Sequence, residues 1–346
     1  MTHKLALIGF GTVGQGLAEI LRDKGDLLRE NLGFDGQIVA ISDFIKGSLY
    51  HPDGLDVAAL LEVVQSTGKL DDYPDQPGLV RGWDSLTTIR RSNANSVVEV
   101  AYTDIKTGQP AIDHCRAAFE SGKNVVMSNK GPVALAYQEL AALARQNGVR
   151  WGFEGTVMSG TPALRMPLTS LAGNDIREVR GIFNGTTNYI LTKMEEGMSY
   201  ANALAQAQEL GYAEADPTAD VEGFDALGKV VILANVIMGA PLTKDDVPCR
   251  GISHLTLDDI AQAKAQGKRW KLLARCKKEG DSVTASVAPE MVPLTDPLAG
   301  IMGATNAITY DCDLAGPITL VGAGAGRTET GFSILIDLIN IHRGNI

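Results

Sequence analysis

The densest concentration of reactive side chains lies between Gly211 and Lys229, where Glu214, Asp216, Asp220, Glu222 and Asp225 face one lysine, Lys229. Asp225 and Lys229 are four residues apart, so on a helix running through Ile232 and Val236 they share one face. On a solvated helix this would be an ordinary surface pair of little energetic consequence. Here the following stretch, Val230–Leu242, carries no charged residue, so the pair opens a buried helix. A charge in that position must be paired, and such groups concentrate at functional sites. An ammonium beside carboxylates can donate a proton to an oxygen that gains charge, while the carboxylates bind a cationic amino group. The acids do not alternate as a calcium loop requires.

A second constellation is built from glycines. The apolar run Lys4–Ile8 leads into Gly9, Phe10, Gly11, Thr12, Val13 and Gly14, and then into the helical pattern Leu17, Ile20, Leu21. In a strand–turn–helix of this kind the first glycine permits the tight turn, the second lets backbone approach a pyrophosphate, and the third lets helix and strand pack closely. The phosphates then rest on the N–H groups of the helix start. These six residues are the candidate dinucleotide site. The strand Gln37–Ser42 ends at Asp43, placed to accept from a ribose hydroxyl and to repel a 2′-phosphate, while Lys46 would favour that phosphate. NAD and NADP both remain open. Lys130, in the loop Ser128–Pro132 after the strand Asn124–Met127, falls where a parallel strand presents its carboxyl end to ligand.

Two further segments have two readings each. Glu154–Pro162 is rich in hydroxyls and carbonyls with one carboxylate, which suits a hard cation or a simple crossover between domains. Asn184–Tyr189 opens a helix whose first N–H groups suit a carboxylate, or are merely capped by Asn184.

The elements that position these groups alternate. Strands at 4–8, 37–42, 96–100, 124–127 and 149–153 are separated by helical patterns, one of them carrying Ile112, Cys115, Ala118 and Phe119, which implies a parallel sheet. Residues 44–95 read as loops with one helix near 57–64. The expected fold class is α/β: an N-terminal Rossmann dinucleotide-binding domain (1–153), an α+β substrate and dimerisation domain (154–310), and a C-terminal segment (311–346) returning to the nucleotide domain. A chain of 346 residues has room for two such cores. Its 38 glycines exceed the roughly 24 expected from average usage. They cluster at 9–14, 155–160, 185, 223–228 and 322–326, where backbone must turn or approach a ligand. A net charge of −10 argues against nucleic acid or an anionic membrane as partner. The longest apolar run is short of the ~20 residues of a membrane span, and no signal segment opens the chain. Four separated cysteines and five scattered histidines offer no disulfide framework and no zinc pair, as expected of a cytoplasmic protein.

The runs GFGTVG, SNKGP, FEGTVMSGTP, NGTTNYILTKM, GYAEADPTADVEGFDALGK and LVGAGAGRTETG, in order from residue 4 to about 342, together resemble homoserine dehydrogenases, and most of all the short archaeal-type members. The 211–229 block is the most specific of them. The resemblance implies a reversible NAD- or NADP-dependent reduction of L-aspartate 4-semialdehyde to L-homoserine, a step toward threonine and methionine. It implies Lys229 and Lys130 as catalytic lysines, with Lys229 the proton donor. Glu214, Asp225 and Asp220 would bind substrate, together with Gly185, Thr186 and Tyr212. Gly324 would lie by the cofactor, and Glu154, Val157, Ser159 and Thr161 would hold a sodium ion. A homodimer through the second domain is also implied, as is the absence of the regulatory module that longer members carry after the catalytic core. Two positions depart from the pattern: Ala101 stands where threonine is common, and Ala219 where a second acid is.

Three other readings compete. A paralogue acting on another small hydroxy amino acid or aldehyde needs the same machinery. An aspartate-semialdehyde dehydrogenase needs an activated nucleophilic cysteine with a basic partner, and neither Cys115 nor Cys249 stands in such a context. A nucleotide-binding sensor without catalysis would have no need of the acid and lysine set.

Overall fold

A computed structural model describes residues 2–346. The chain divides into two compact units, Met1–Gly160 with Gly326–Ile346, and Thr161–Ala325.

In the first unit, β1 (Thr2–Ile8) runs into α1 (Thr12–Leu32) and returns as β2 (Asp35–Asp43). Then follow β3 (Gly47–Tyr50), α2 (Val57–Thr67), β4 (Val80–Arg81), α3 (Ser85–Arg91), β5 (Ser96–Glu99) and α4 (Ala111–Glu120). The series ends with β6 (Asn124–Met127), α5 (Lys130–Leu135), α6 (Tyr137–Gln146) and β7 (Trp151–Gly152). The strands form one sheet in the order β4-β3-β2-β1-β5-β6-β7. Pairing is parallel from β2 to β7 and antiparallel at β3 and β4. Strand order reverses at β1 and β5, and the crevice at such a switch point is where a doubly wound sheet holds its ligand.

Burial explains the elements. Leu5, Leu7, Ile38 and Ile41 of the central strands are at most 1% exposed and pack with Leu17 of α1. The stretch 44–95, expected as loops around one helix, also contains β3, β4 and α3. Two short antiparallel strands at a sheet edge lack the length that makes a period-two pattern visible. The wide gap between Gly14 and Asp43 is taken up by the long α1, stopped at Gly33, whose left-handed backbone donates to the Arg29 and Leu28 carbonyls.

The second unit begins with α7 (Arg165–Thr169), β8 (Ile176–Ile182), α8 (Gly185–Glu195), α9 (Tyr200–Glu209), α10 (Thr218–Val221) and α11 (Phe224–Val236). After α12 (Leu257–Ala265) come two long hairpins, β9 (Lys268–Glu279) with β10 (Ser282–Pro293), and β11 (Thr305–Cys312) with β12 (Gly316–Ala323). The sheet is antiparallel throughout, in the order β10-β9-β8-β11-β12. α11 lies on β9 and β10 with Val230 to Ala234 at most 1% exposed.

The last helix, α13 (Arg327–Arg343), belongs to the first unit and packs against α1. A side chain at Gly16 would overlap the Arg327 backbone, and one at Gly331 would meet the Gly16 carbon at 2.7 Å. Arg327 also forms an ion pair with Glu19 of α1 at 2.7 Å.

The expected cuts after 153 and 310 both shift. The 154–160 segment stays with the first unit because the Glu154 N–H donates to Asp337 of α13 at 2.9 Å. The returning segment starts at Gly326 and not at 311, because β12 pairs with β11 along its whole length.

Candidate active site

The first unit offers an anion cradle. Gly9 has φ +98°, and a side chain there would lie 2.6 Å from the Val100 carbonyl oxygen. A side chain at Gly14 would sit 2.7 Å from the Gly9 carbonyl oxygen. At Gly11 there is nothing within 4 Å, so the backbone faces open space. Gly11 is also the N-cap of α1, and no side chain caps that helix. The first N–H groups of α1, from Thr12 to Gly14, therefore remain for a ligand, as pyrophosphate binding requires.

Asp43 closes one side of the cradle. One carboxylate oxygen accepts the Phe10 N–H at 2.7 Å, and the other accepts those of Ile45 (2.9 Å) and Lys46 (2.8 Å). Burial alone would raise its pKa, but these three bonds outweigh it and hold the carboxyl below its usual value. A carboxylate thus anchored keeps its charge where a ribose would lie.

Lys130, expected in a loop, is instead the first residue of α5. The Asn129 side chain accepts from the Gly131 N–H at 3.1 Å and caps that helix. A six-residue helix is too short to leave a periodic signature.

The second unit gathers the acid and lysine set at the start of α8 and α11. The Lys229 side chain is 8% exposed, and its Nζ donates to Asp225 Oδ2 at 2.7 Å and to the Phe183 carbonyl at 2.5 Å. Asn184, at 5% exposure, bridges the two acids: its Nδ2 donates to Asp220 Oδ1 at 2.6 Å and to Asp225 Oδ2 at 3.0 Å. The Asn184 Oδ1 meanwhile accepts the Thr187 N–H at 2.9 Å, so one amide caps α8 and holds the acid pair. Burial pushes the Asp220 carboxyl up; the Asn184 bond opposes this and the Asp225 charge adds to it. Thr186 Oγ1 donates to the Tyr212 carbonyl at 2.6 Å, and the Tyr212 ring lies beside Tyr189, centroids 5.1 Å apart.

The five carboxylates therefore do not act as one cluster. Asp225 meets Lys229, and Asp220 is joined to that pair through Asn184, while Glu214 and Asp216 are exposed. The Glu214 carbonyl, not its carboxylate, is bonded, accepting from Gln208 at 3.0 Å. Asn184 is the residue that sequence reading passed over, since a helix-capping asparagine carries no sign of a bridge to residues 36 and 41 positions away.

Asn306, at the start of β11, was also not singled out. Its side chain is fully buried, and neither amide atom has a hydrogen-bond partner. Gly324 packs directly on that amide, and Gly185 lies next to it. Gly324 is thus a residue of the second unit, although α13 returns to the first.

Of the four cation candidates, Glu154, Val157 and Ser159 are buried in the first unit, and Thr161 opens the second. Met158 and Ser159 both have positive φ, 57° and 53°, unusual for side-chain-bearing residues. Among the described residues no three His, Cys, Asp or Glu side chains gather as a metal site, so any ion there would depend on carbonyls. Thiol catalysis has no support: burial raises the thiol pKa of both Cys115 and Cys249. No helix among the described residues is long and apolar enough to cross a membrane.

Arranged this way, the second unit can hold a small cationic molecule against two acids and offer its oxygen an ammonium proton. The first unit can hold a dinucleotide.

Comparison with known proteins agrees with both halves. Residues 162–339 match the family model for homoserine dehydrogenase, and residues 2–101 match that for glutamate, leucine, phenylalanine and valine dehydrogenases. An NAD(+)-dependent homoserine dehydrogenase of Pseudomonas canavaninivorans is 46% identical over 99% of this chain and 96% of its own length. The homoserine dehydrogenase of Methanocaldococcus jannaschii is 42% identical over 98% of each chain. A hyperthermophilic archaeal homoserine dehydrogenase solved with NADPH superposes with a TM-score of 0.83 at 30% identity, covering 99% of this chain and 98% of the other. With identity sustained across both units, the chain belongs to the homoserine dehydrogenase family.

Proposed function

We propose that the protein catalyses the reversible NAD(P)H-dependent reduction of L-aspartate 4-semialdehyde to L-homoserine, in threonine and methionine biosynthesis. The observation that carries this reading is the buried Lys229 paired with Asp225, a pair joined to Asp220 by Asn184 at the head of α8.

When bound, the nicotinamide coenzyme supplies the hydride for the aldehyde carbon and takes it back in reverse. The chain's own residues do the rest. Lys229 stabilises the negative charge that grows on the aldehyde oxygen and delivers the proton that makes the hydroxyl. Two of its three N–H bonds are already spent on Asp225 and Phe183, which aims the third. Asp225 holds Lys229 and, with Glu214, binds the substrate amino group and hydroxyl end, while Asp220 supports them. The N–H groups of Gly185 and Thr186 receive the carboxylate, and Tyr212 walls the pocket. Lys130 serves as the second lysine of the reaction.

Gly9 to Gly14 and Asp43 bind the coenzyme. Glu154, Val157 and Ser159 hold a sodium ion; the left-handed backbone at Met158 and Ser159 supports a loop bent for ligation. The protein works in the cytoplasm as a homodimer joined through the second unit.

The test is oxidation of NADH and NADPH by purified protein with aspartate semialdehyde, beside a panel of small aldehydes and ketones, with the product identified by chromatography. Homoserine formation is expected with at least one coenzyme. A rate confined to another carbonyl overturns the assignment in favour of a paralogous dehydrogenase.

A further inference from the structure

In the first unit a group of polar side chains is buried together beneath the loop after β5, whose Val100 and Ala101 backbone also abuts Gly9 of the glycine cradle. Glu99, the last residue of β5, is fully buried, and its Oε2 lies 2.6 Å from Nδ1 of His114 on α4, which is 4% exposed. The other carboxylate oxygen accepts the Ala101 N–H at 3.0 Å and Asn129 Nδ2 at 3.5 Å. A carboxylate taken out of water persists only where donors surround it, and here three do.

Asn129 passes this anchorage on. Its Nδ2 also reaches the carbonyls of Ala101 at 3.3 Å and Tyr102 at 3.2 Å, and its Oδ1 accepts the Gly131 N–H. One amide therefore ties the loop after β5 to the first turn of α5, whose first residue is Lys130. Both segments leave the carboxyl ends of neighbouring strands beside the switch point. Asn129 is 1% exposed, so no solvent competes for these bonds.

We infer that Glu99 is a positioning residue for Lys130, acting through Asn129, with His114 holding the carboxylate from the opposite side. This rests on the reading that Lys130 takes part in turnover. A brace that merely stabilised the unit would lower activity whatever residue stood at 130. A brace that acts through the Lys130 ammonium has no further effect once that ammonium is gone.

The experiment is a double-mutant cycle of Glu99→Gln and Lys130→Ala, read as kcat, substrate KM, NADH Kd by fluorescence titration and melting temperature. Glu99→Gln is expected to lower kcat by about tenfold or more, with Kd and KM within about twofold, a coupling in the range found within one hydrogen-bond network. In the Lys130→Ala background the same change is expected to lower kcat by less than about twofold. An equal fold loss in both backgrounds overturns the inference, as does a Glu99→Gln variant with wild-type kcat. If Lys130→Ala alone keeps wild-type kcat, the role of Lys130 itself falls and the inference with it, and that single variant tells the two failures apart. Should Glu99→Gln not fold, Asn129→Ser leaves the Glu99–His114 pair in place and enters the same cycle with the same expected outcomes.

Discussion

Replacing Lys229 with methionine removes the charge and proton while keeping most of the volume on a helix packed against β9 and β10. Two losses follow in the reaction. A preorganised donor to a developing oxyanion contributes ~10²–10³ in kcat, and a positioned general acid ~10²–10⁴. Both effects are carried by the same N–H, so they overlap and do not multiply. The expected fall in kcat is ~10³–10⁴, a barrier increase of about 4–5.5 kcal/mol at 1.36 kcal/mol per factor of ten. There is also a structural cost. Asp225 loses its 2.7 Å partner but is 20% exposed as a side chain and keeps the Asn184 bond at 3.0 Å. Two charge-assisted bonds are lost, one at this partly hydrated carboxylate and one at the Phe183 carbonyl, at about 1.5–3 kcal/mol each, offset in part because no ammonium has to be desolvated. The assay is steady-state turnover in both directions, NADH affinity by fluorescence titration, and thermal unfolding. The expected variant is folded, binds NADH within about twofold of wild type, and is nearly inactive, because the dinucleotide cradle lies in the other unit. A folded Lys229→Met enzyme with turnover within about tenfold of wild type would refute the proton-donor role.

Asp220→Asn tests the buried acid. Burial raises its folded pKa above the unfolded ~3.9. The folded chain then binds more protons across that interval, and stability falls as pH rises through it. The variant is expected to melt higher than wild type at pH 7 while its substrate KM rises; a lower melting temperature with unchanged KM counts against the reasoning. Lys271 has the opposite sign. Burial lowers its pKa to about 8, so the unfolded chain holds the proton longer and stability rises by up to about 3 kcal/mol between pH 8 and 10.4. Denaturant titrations at several pH values should show that rise reduced in Lys271→Met, and an identical pH slope would contradict it. Gly11→Ala should keep the wild-type melting temperature and lose NADH affinity, because the new methyl meets no protein atom. Gly14→Ala should lose both, since its methyl collides with the Gly9 carbonyl. Equal melting temperatures for the two variants would show that the close approach of α1 to the glycine turn carries no energetic weight.

The short-range features were legible because their geometry repeats within a few residues. The strand, glycine turn and helix from Lys4 to Leu21 need only local periodicity, and Gly9 shows the turn and Gly14 the close approach that no larger residue would allow. The Asp225–Lys229 pair follows from helical spacing alone. The uncharged stretch after it correctly signalled a buried helix. The two-residue β4, the four-residue edge strand β3 and the six-residue α5 left too little pattern, which is why these strands and the placement of Lys130 on α5 were not foreseen.

What composition and spacing established was therefore the two-part α/β plan, the dinucleotide turn, and the lysine with its nearest acid. Folding settled which carboxylate pairs with Lys229 and which second acid is held beside that pair. Asp220 and Asp225 are drawn in by Asn184, from a helix cap more than thirty residues earlier, while Glu214 and Asp216 are exposed. It also assigned β12 and Gly324 to the second unit, and joined Glu99, His114 and Asn129 into one buried network. These pairings depend on hydrogen bonds between distant segments whose energy is realised only once water is excluded, and nothing in the local pattern of the chain encodes that exclusion.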